Sequence, residues 1–381
     1  MNRRALLSAA ALLALPFPAL AQAAGGTRWK VRPSEGMDAI AFLGPLSGKE
    51  FYARYYGDEL AAFKPKLPAD ALEALASLHA EADAAGGLLW PGLTLIFSGG
   101  PTDRLDDVLA SLAKAETVLK PSFAASTYWD EADWNRFLAG RERLAKVLNA
   151  LKAADFAGFR HGLIDAPLAK RTAELDTLLS GLDVISEQQR LTGRKFDPEI
   201  HIDLLWFCRP HGVKVQGQRF LTHVGARDQV VVLTAAHEML HPPFDMKGPV
   251  AIACLDVLGK DPLFAKILAE KDKGTGYNSL EGILNEDTIQ ALDQIIQERL
   301  GYVYKPAAER WTNGDQGMHV LAAGIYGLLK AEGYDRTGGN LEAWMLAAAK
   351  GGKLSPAVLH PAAARVLGKP VDALWTTPVK G

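Results

Sequence analysis

The 381-residue chain has few of the features that would narrow its class at once. Its two cysteines, Cys208 and Cys254, are too few for a disulfide-stabilised scaffold, although they could pair in an oxidising compartment. Basic and acidic residues are nearly balanced, at 42 and 44, and no block of like charge occurs. We therefore predict a globular protein without a nucleic-acid partner, whose core is built from its 48% of hydrophobic residues.

Long hydrophobic runs are also scarce, and the N-terminal one has special flanks. An unbroken run of apolar and small residues at 5–15 follows Arg3 and Arg4 and precedes a small-residue pattern at 21–23. This order is typical of an export signal, and the run is too short to span a bilayer. We predict a signal peptide over 1–23, no membrane anchor after its removal, and a periplasmic or secreted protein. The arginine pair resembles part of a twin-arginine signal, but a general secretory signal fits nearly as well.

Helical patterns dominate the region 24–195. Apolar residues recur at helical spacing in four stretches, at 68–85, 103–119, 131–154 and 167–192. A short apolar run at 88–97 is broken by Pro91-Gly92 and fits either a strand or a loop. We predict a helical N-terminal region over 24–195.

The pattern changes near residue 197. The segments 199–208 and 213–224 are rich in β-branched and aromatic residues, and Arg209-Pro210-His211-Gly212 between them predicts a hairpin turn. Residues 230–233 fit a third strand or the first turns of a helix. Helical patterns return at 262–271, at 279–300 and twice after 318. This order predicts an α+β fold, mainly helical with a small antiparallel sheet, and a second region over 196–381.

One five-residue motif has the spacing of a metal site. His237-Glu238-Met239-Leu240-His241 places two imidazoles one helical turn apart, so that both can bind one tetrahedral metal ion. Glu238 lies beside the first ligand and is positioned to act as a general base on a metal-activated water.

The motif, on a helix that follows a small sheet, resembles the zincin metallopeptidases. The resemblance implies one zinc ion per chain, a sheet packed on the active-site helix, and a peptide or protein substrate held along the edge strand. One departure from the common zincin pattern is Pro242-Pro243, which predicts that the helix ends at or just after His241. The alternative is a zinc-binding scaffold protein that has the zincin fold but no proteolytic activity.

Two zincin patterns for the third zinc ligand do not fit this sequence. A histidine or aspartate after a glycine turn would require glycine and a ligand where Phe244 and Lys247 stand. A Gly-Thr-x-Asp element is also missing, because Gly274-Thr275-Gly276 is followed by Tyr277.

The gluzincins, which take a glutamate from a later helix, fit better. Asn285-Glu286 resembles their element and favours Glu286 as the third ligand. Glu281 is the alternative: it lies next to the helix's apolar stripe, although it also completes a capping box with Asn278. Asp245 and Asp256 are more distant choices.

Two further residues are candidates for stabilising the oxyanion, a task that zincins commonly give to Tyr or His. They are Tyr277, before the predicted ligand helix, and His319. A second metal site made of His201, Asp203, Cys208 and His211 lacks a ligand set of standard spacing, so we interpret these four as ordinary sheet residues.

Overall fold

The computed structural model describes residues 26–210, 212–272 and 277–377, so the predicted signal peptide lies outside the described residues. The described chain is mostly helical with one small sheet, as an α+β fold requires. In the first half, the described residues form one strand and eleven α-helices: β1 (Arg28–Pro33), α1 (Glu35–Leu46), α2 (Glu50–Ala53), α3 (Gly57–Phe63), α4 (Ala69–Ala84), α5 (Leu89–Phe97), α6 (Leu105–Ala113), α7 (Ala115–Val118), α8 (Lys120–Ala125), α9 (Glu131–Ala153), α10 (Phe156–Leu179) and α11 (Val184–Thr192).

In the second half, the described residues form the rest of the sheet and nine α-helices. These elements are β2 (Glu199–Leu205), β3 (Val213–Val215), β4 (Arg219–His223), α12 (Asp228–Glu238), α13 (Pro249–Leu258), α14 (Pro262–Glu270), α15 (Leu280–Leu300), α16 (Ala307–Asn313), α17 (Val320–Ala331), α18 (Tyr334–Thr337), α19 (Leu341–Lys350) and α20 (Pro356–Leu367).

The sheet is mixed, so the prediction of an antiparallel sheet was wrong. Its strand order is β1-β2-β4-β3, with β1 and β4 both parallel to β2 and only β3 antiparallel to β4. The hairpin lies inside the segment 213–224, where Gly217 has a φ of +72° that favours glycine in a tight turn. Residues 209–212 therefore connect two strands that are not hydrogen-bonded to each other.

Two ambiguous apolar segments are helical. Residues 88–97 form α5, and Pro91 is tolerated there because it lies in the first turn, where its missing N–H has no intrahelical partner to lose. Residues 230–233 belong to α12. Strand β1 was not predicted, although its exposed and partly buried residues alternate as in a strand with one face against a core.

Two hydrophobic clusters lie on opposite faces of the sheet. Ile200, Ile202 and Leu204 of β2 join the cluster formed with the end of α10 and helices α11 to α20. Leu221 of β4 and Val215 of β3 join the cluster formed by helices α1 to α9 and the start of α10. Helix α12, which carries His237 and Glu238, therefore packs on one face of the sheet. The front helices, α1 to α9 and the start of α10, pack on the other face.

The two cysteines are buried and unpaired. Cys208 belongs to the cluster of the first half and Cys254 to the other cluster, so the possible disulfide is not formed. Among the described residues, no helix has the length and apolar character that a membrane crossing needs.

Candidate metal centre

Helix α12 holds the first part of the motif. Val231, Val232, Ala235 and Ala236 are buried in the core, which fixes the direction in which His237 points. The helix ends at Glu238, three residues before the expected end at His241. The following turn is tightened, since the backbone N–H groups of residues 240 and 241 bond to carbonyls three residues earlier.

Contacts from α11 and the segment after it stabilise this helix end. The Gln188 side chain donates hydrogen bonds to the carbonyls of Ala235 and Ala236 at 3.2 and 3.0 Å. Arg194 donates to the carbonyls of Pro242 and Pro243 at 2.7 and 2.9 Å. The backbone on both sides of the two histidines is therefore fixed by buried or partly buried hydrogen bonds.

Helix α15 supplies the third member of the cluster. It is buried on nearly all sides from Ile283 to Gln297, including its polar residues Glu286 and Asp293. A helix that is covered all round can direct a polar side chain inward from any face. The apolar stripe therefore does not argue against Glu286, which is 4% exposed.

The side chains of His237, His241 and Glu286 converge on one position. The Nε2 atoms of the two histidines are 3.0 Å apart. Nε2 of His237 lies 3.5 Å from one carboxylate oxygen of Glu286, and Nε2 of His241 lies 3.6 Å from the other. These residues could hold a metal ion, and they are the only such group of His, Cys, Asp or Glu found among the described residues.

Hydrogen bonds at the opposite ring nitrogens orient both histidines. Nδ1 of His237 lies 2.7 Å from Oδ2 of Asp293, and Nδ1 of His241 lies 3.3 Å from Oδ1 of Asn285. Each acceptor oxygen keeps a proton on Nδ1, so Nε2 presents its lone pair to the shared position. A cation there, whether a proton or a metal ion, removes the repulsion between the two lone pairs.

The charges in the cluster favour a cation at this position. Burial opposes protonation of His237, but the charge of Glu286 and the hydrogen bond to Asp293 raise its pKa well above the usual value. Burial alone would raise the pKa of Glu286, yet the positive charge of His237 holds it well below its usual range. Burial and the charge of His237 lower the pKa of His241 to about 4.

The cluster opens onto a cleft of about 340 Å³. Its apolar wall includes Leu88, Pro91 and Val213, and its polar wall includes Glu238 and Lys214. Strand β3, which carries two of these residues, is the last strand of the sheet on this side. The cleft therefore lies between the three candidate ligands and an edge of the sheet.

Glu238 is placed in this cleft without a competing partner. Its carboxylate forms no hydrogen bond with a described residue. Burial, opposed by the charge of His237, raises the pKa of Glu238 to about 7. A carboxylate of this kind can accept and release a proton near neutral pH.

The structure separates the two oxyanion candidates. Tyr277 lines the cleft, and burial together with the negative charge of Glu286 raises the pKa of its hydroxyl, which therefore stays protonated. His319 is buried outside the cleft, with Nδ1 2.6 Å from Asp287 and Nε2 2.8 Å from Asp315. Its ring nitrogens are both occupied, so His319 serves a buried ion-pair network.

The other ligand candidates lie apart from the cluster. Glu281 is exposed in the first turn of α15, and Asp245 and Asp256 are exposed as well. The N-cap of α15 is Ser279, one residue after the expected Asn278, and its hydroxyl accepts from the backbone N–H three residues later.

The polar residues of the sheet form ion pairs. Asp203 is fully buried and pairs with Arg32 and Arg219, and His201 lies 2.8 Å from Glu199. His211 and the glycine-rich residues 274–276 lie outside the described residues.

Three residues of the site did not emerge from the sequence. Asp293 follows Glu286 by seven residues, two helical turns, and this spacing was the available signal for a second carboxylate on the same face. Lys214 and Tyr128 come from a short edge strand and from the turn before α9, and no local pattern connects either of them to the motif.

Comparisons of the chain with family models, with curated proteins and with solved structures gave no match, so its function is argued from the site's own residues.

Proposed function

We propose that this chain is an exported zinc-dependent metallopeptidase of the zincin type, gluzincin-like in taking its third ligand from a later helix. His237, His241 and Glu286 would hold the zinc ion, and Glu238 would be the general base. The observation that carries the proposal is the convergence of three ligand atoms beside a carboxylate that faces the same cleft.

The donor set supports zinc. Two imidazole nitrogens and one carboxylate are the ligands of a well-known class of catalytic zinc site, which leaves a fourth position open. With metal–ligand bonds of about 2.0–2.1 Å, tetrahedral ligands lie about 3.3 Å apart. The separations of 3.0, 3.5 and 3.6 Å within the cluster are close to that value.

The chain's own residues suit hydrolysis of a peptide bond. A zinc ion at this position would supply Lewis acidity, which activates a water molecule and polarises the substrate carbonyl. Glu238 takes the proton of the attacking water and passes it to the amine that leaves. Asp293 and Asn285 keep the imidazoles in the tautomer that binds metal.

A peptide substrate is supported by the sheet edge beside the cleft. Strand β3 pairs with β4 on one side only, and Val213 and Lys214 of β3 line the cleft. An extended peptide can add to such an edge through main-chain hydrogen bonds. Export, to the periplasm or the exterior, is supported by the sequence of residues 1–23 alone.

The proposal is tested with a Glu238→Gln variant, which retains all three ligands but has no base. We expect the zinc content of the variant to equal that of wild type, because Glu238 is not a ligand. Cleavage of a mixed peptide library should fall at least about a hundredfold, the lower range of a general base's contribution. Bound zinc with no cleavage by wild type would instead indicate a zinc-binding scaffold protein.

A further inference from the structure

Two hydrogen-bond donors in the cleft lack a strong acceptor among the described residues. The hydroxyl of Tyr128 is buried and has no hydrogen-bond partner among the described residues. The ammonium of Lys214 forms no ion pair with a described carboxylate, and its recorded contact is the Met239 thioether at 3.8 Å. A thioether is a weak acceptor, so it does not compensate a charged donor.

Both donors line the same cleft. Tyr128 and Lys214 each line it together with Glu238, and both feel the charge of Glu238. Apolar side chains of Leu88 and Pro91 form the adjacent wall. Charges interact more strongly in such partly desolvated surroundings than in water, so an anion bound there gains more than it would at the surface.

The charge balance of the cleft also favours an anion. Its carboxylates are those of Glu238 and Glu286, whereas Lys214 and a bound divalent cation are positive. Arg194, whose charge acts on Lys214, adds a further cation behind the cleft. With a divalent cation bound, the positive charges of the cation and Lys214 exceed the negative charges of Glu238 and Glu286.

We propose that Lys214 and Tyr128 bind a carboxylate of the substrate close to the scissile bond, so that the site prefers acidic substrates. Lys214 would form the ion pair, and the Tyr128 hydroxyl would donate a second hydrogen bond to the same group. This inference rests on the proposed function for the kind of substrate, but its test below requires no hydrolysis.

The test compares two hydroxamates of similar length on the zinc-loaded protein by calorimetry. Succinic monohydroxamate carries a free carboxylate, whereas butyrohydroxamate carries a methyl group in its place. Wild type should bind the former about tenfold more tightly, a factor typical of one partly buried charge pair. The Lys214→Met variant should lose this preference, and Tyr128→Phe should lose about threefold of it.

Lys247→Met is the matched control, because Lys247 is exposed and outside the cleft. It should keep the full preference. Thermal melting and zinc content show whether each variant is folded and loaded, and Lys214→Gln provides a second neutral replacement if Lys214→Met does not fold.

Two results would overturn the inference. One is the absence of a preference in the wild-type protein. The other is a Lys214→Met variant that keeps the preference, whether or not both probes bind more weakly. An equal weakening of both probes would assign Lys214 to the oxygen bound at the metal. Because peptide cleavage is measured separately, an intact preference without any cleavage would reject the peptidase and retain the carboxylate site.

Discussion

The two histidines of the candidate metal site owe their orientation to residues of α15 that lie outside the group of candidate ligands. Asp293 accepts from His237 and also from Arg310 and Gln297, so its position is fixed from three sides. Asn285 plays the corresponding part for His241. Helix α15 thus supplies one candidate ligand, Glu286, and the hydrogen-bond partners that orient the other two.

Replacing Asp293 should weaken metal binding without removing a ligand. In Asp293→Asn, the charged acceptor for His237 is lost, and we expect a zinc affinity about 10- to 100-fold lower, the usual effect of removing a residue that orients a metal ligand. Competition with a chromophoric chelator measures this affinity. Since Arg310 also loses its partner, the stability of the variant is measured separately; an affinity within about twofold of wild type would reject the role.

The assignment of Glu286 over Glu281 is tested by two alanine variants. Glu286→Ala removes a converging ligand, and its zinc affinity should fall by more than about a hundredfold, the largest loss expected when only a hydrogen-bond partner of a ligand is removed. Glu281→Ala, at an exposed position of the same helix, should keep the wild-type affinity. Zinc loss in Glu281→Ala alone would show that the third ligand is assigned wrongly.

At the scale of elements, the local patterns predicted two of the three longest helices well, but they missed the start of α10 and the pairing of the sheet. The stretches at 131–154 and 279–300 match α9 and α15, because helical periodicity is encoded in neighbouring residues. One of the two partners of β2 is β1, where Arg28 lies opposite Glu199. No local signal carries a pairing between residues so far apart in the sequence. For the same reason, the sequence does not indicate that Lys214 and Tyr128 belong to the site, because only the tertiary fold brings them to the cleft.

Helices α15 and α17 are connected by a buried ion pair that should give a pH-dependent stability. Asp287 of α15 accepts from His319, the residue before α17, and from the backbone N–H of Ala322. Burial opposes protonation of His319, but Asp287 and Asp315 raise its pKa to about 10. Because the folded pKa lies above the unfolded value of about 6.5, this stabilisation is complete below pH 6.5 and is lost between pH 6.5 and 10.

A His319→Gln variant measures this contribution. At pH 6 its free energy of unfolding should be lower than that of wild type by about 3–5 kcal/mol, as when one partner of a buried pair is removed. The difference should shrink as the pH approaches 10. Denaturant unfolding with a zinc chelator present excludes the pH dependence of metal binding, and a difference that does not change with pH would contradict a charged His319.

At the scale of the molecule, the sheet separates two cores, and the cleft collects residues from both sides. Pro91 of α5 and Tyr128 in the turn before α9 come from the first half of the chain, whereas the candidate metal ligands come from α12, α15 and the turn between α12 and α13. The front helices therefore form part of the wall of the site.

The central claim is that His237, His241 and Glu286 bind one zinc ion, and elemental analysis of the zinc-loaded, dialysed protein tests it most directly. We expect one zinc per chain in wild type and in Glu238→Gln. His237→Ala and His241→Ala should retain almost none while keeping their fold, as judged by circular dichroism. Wild-type zinc content in the folded histidine variants would contradict the claim.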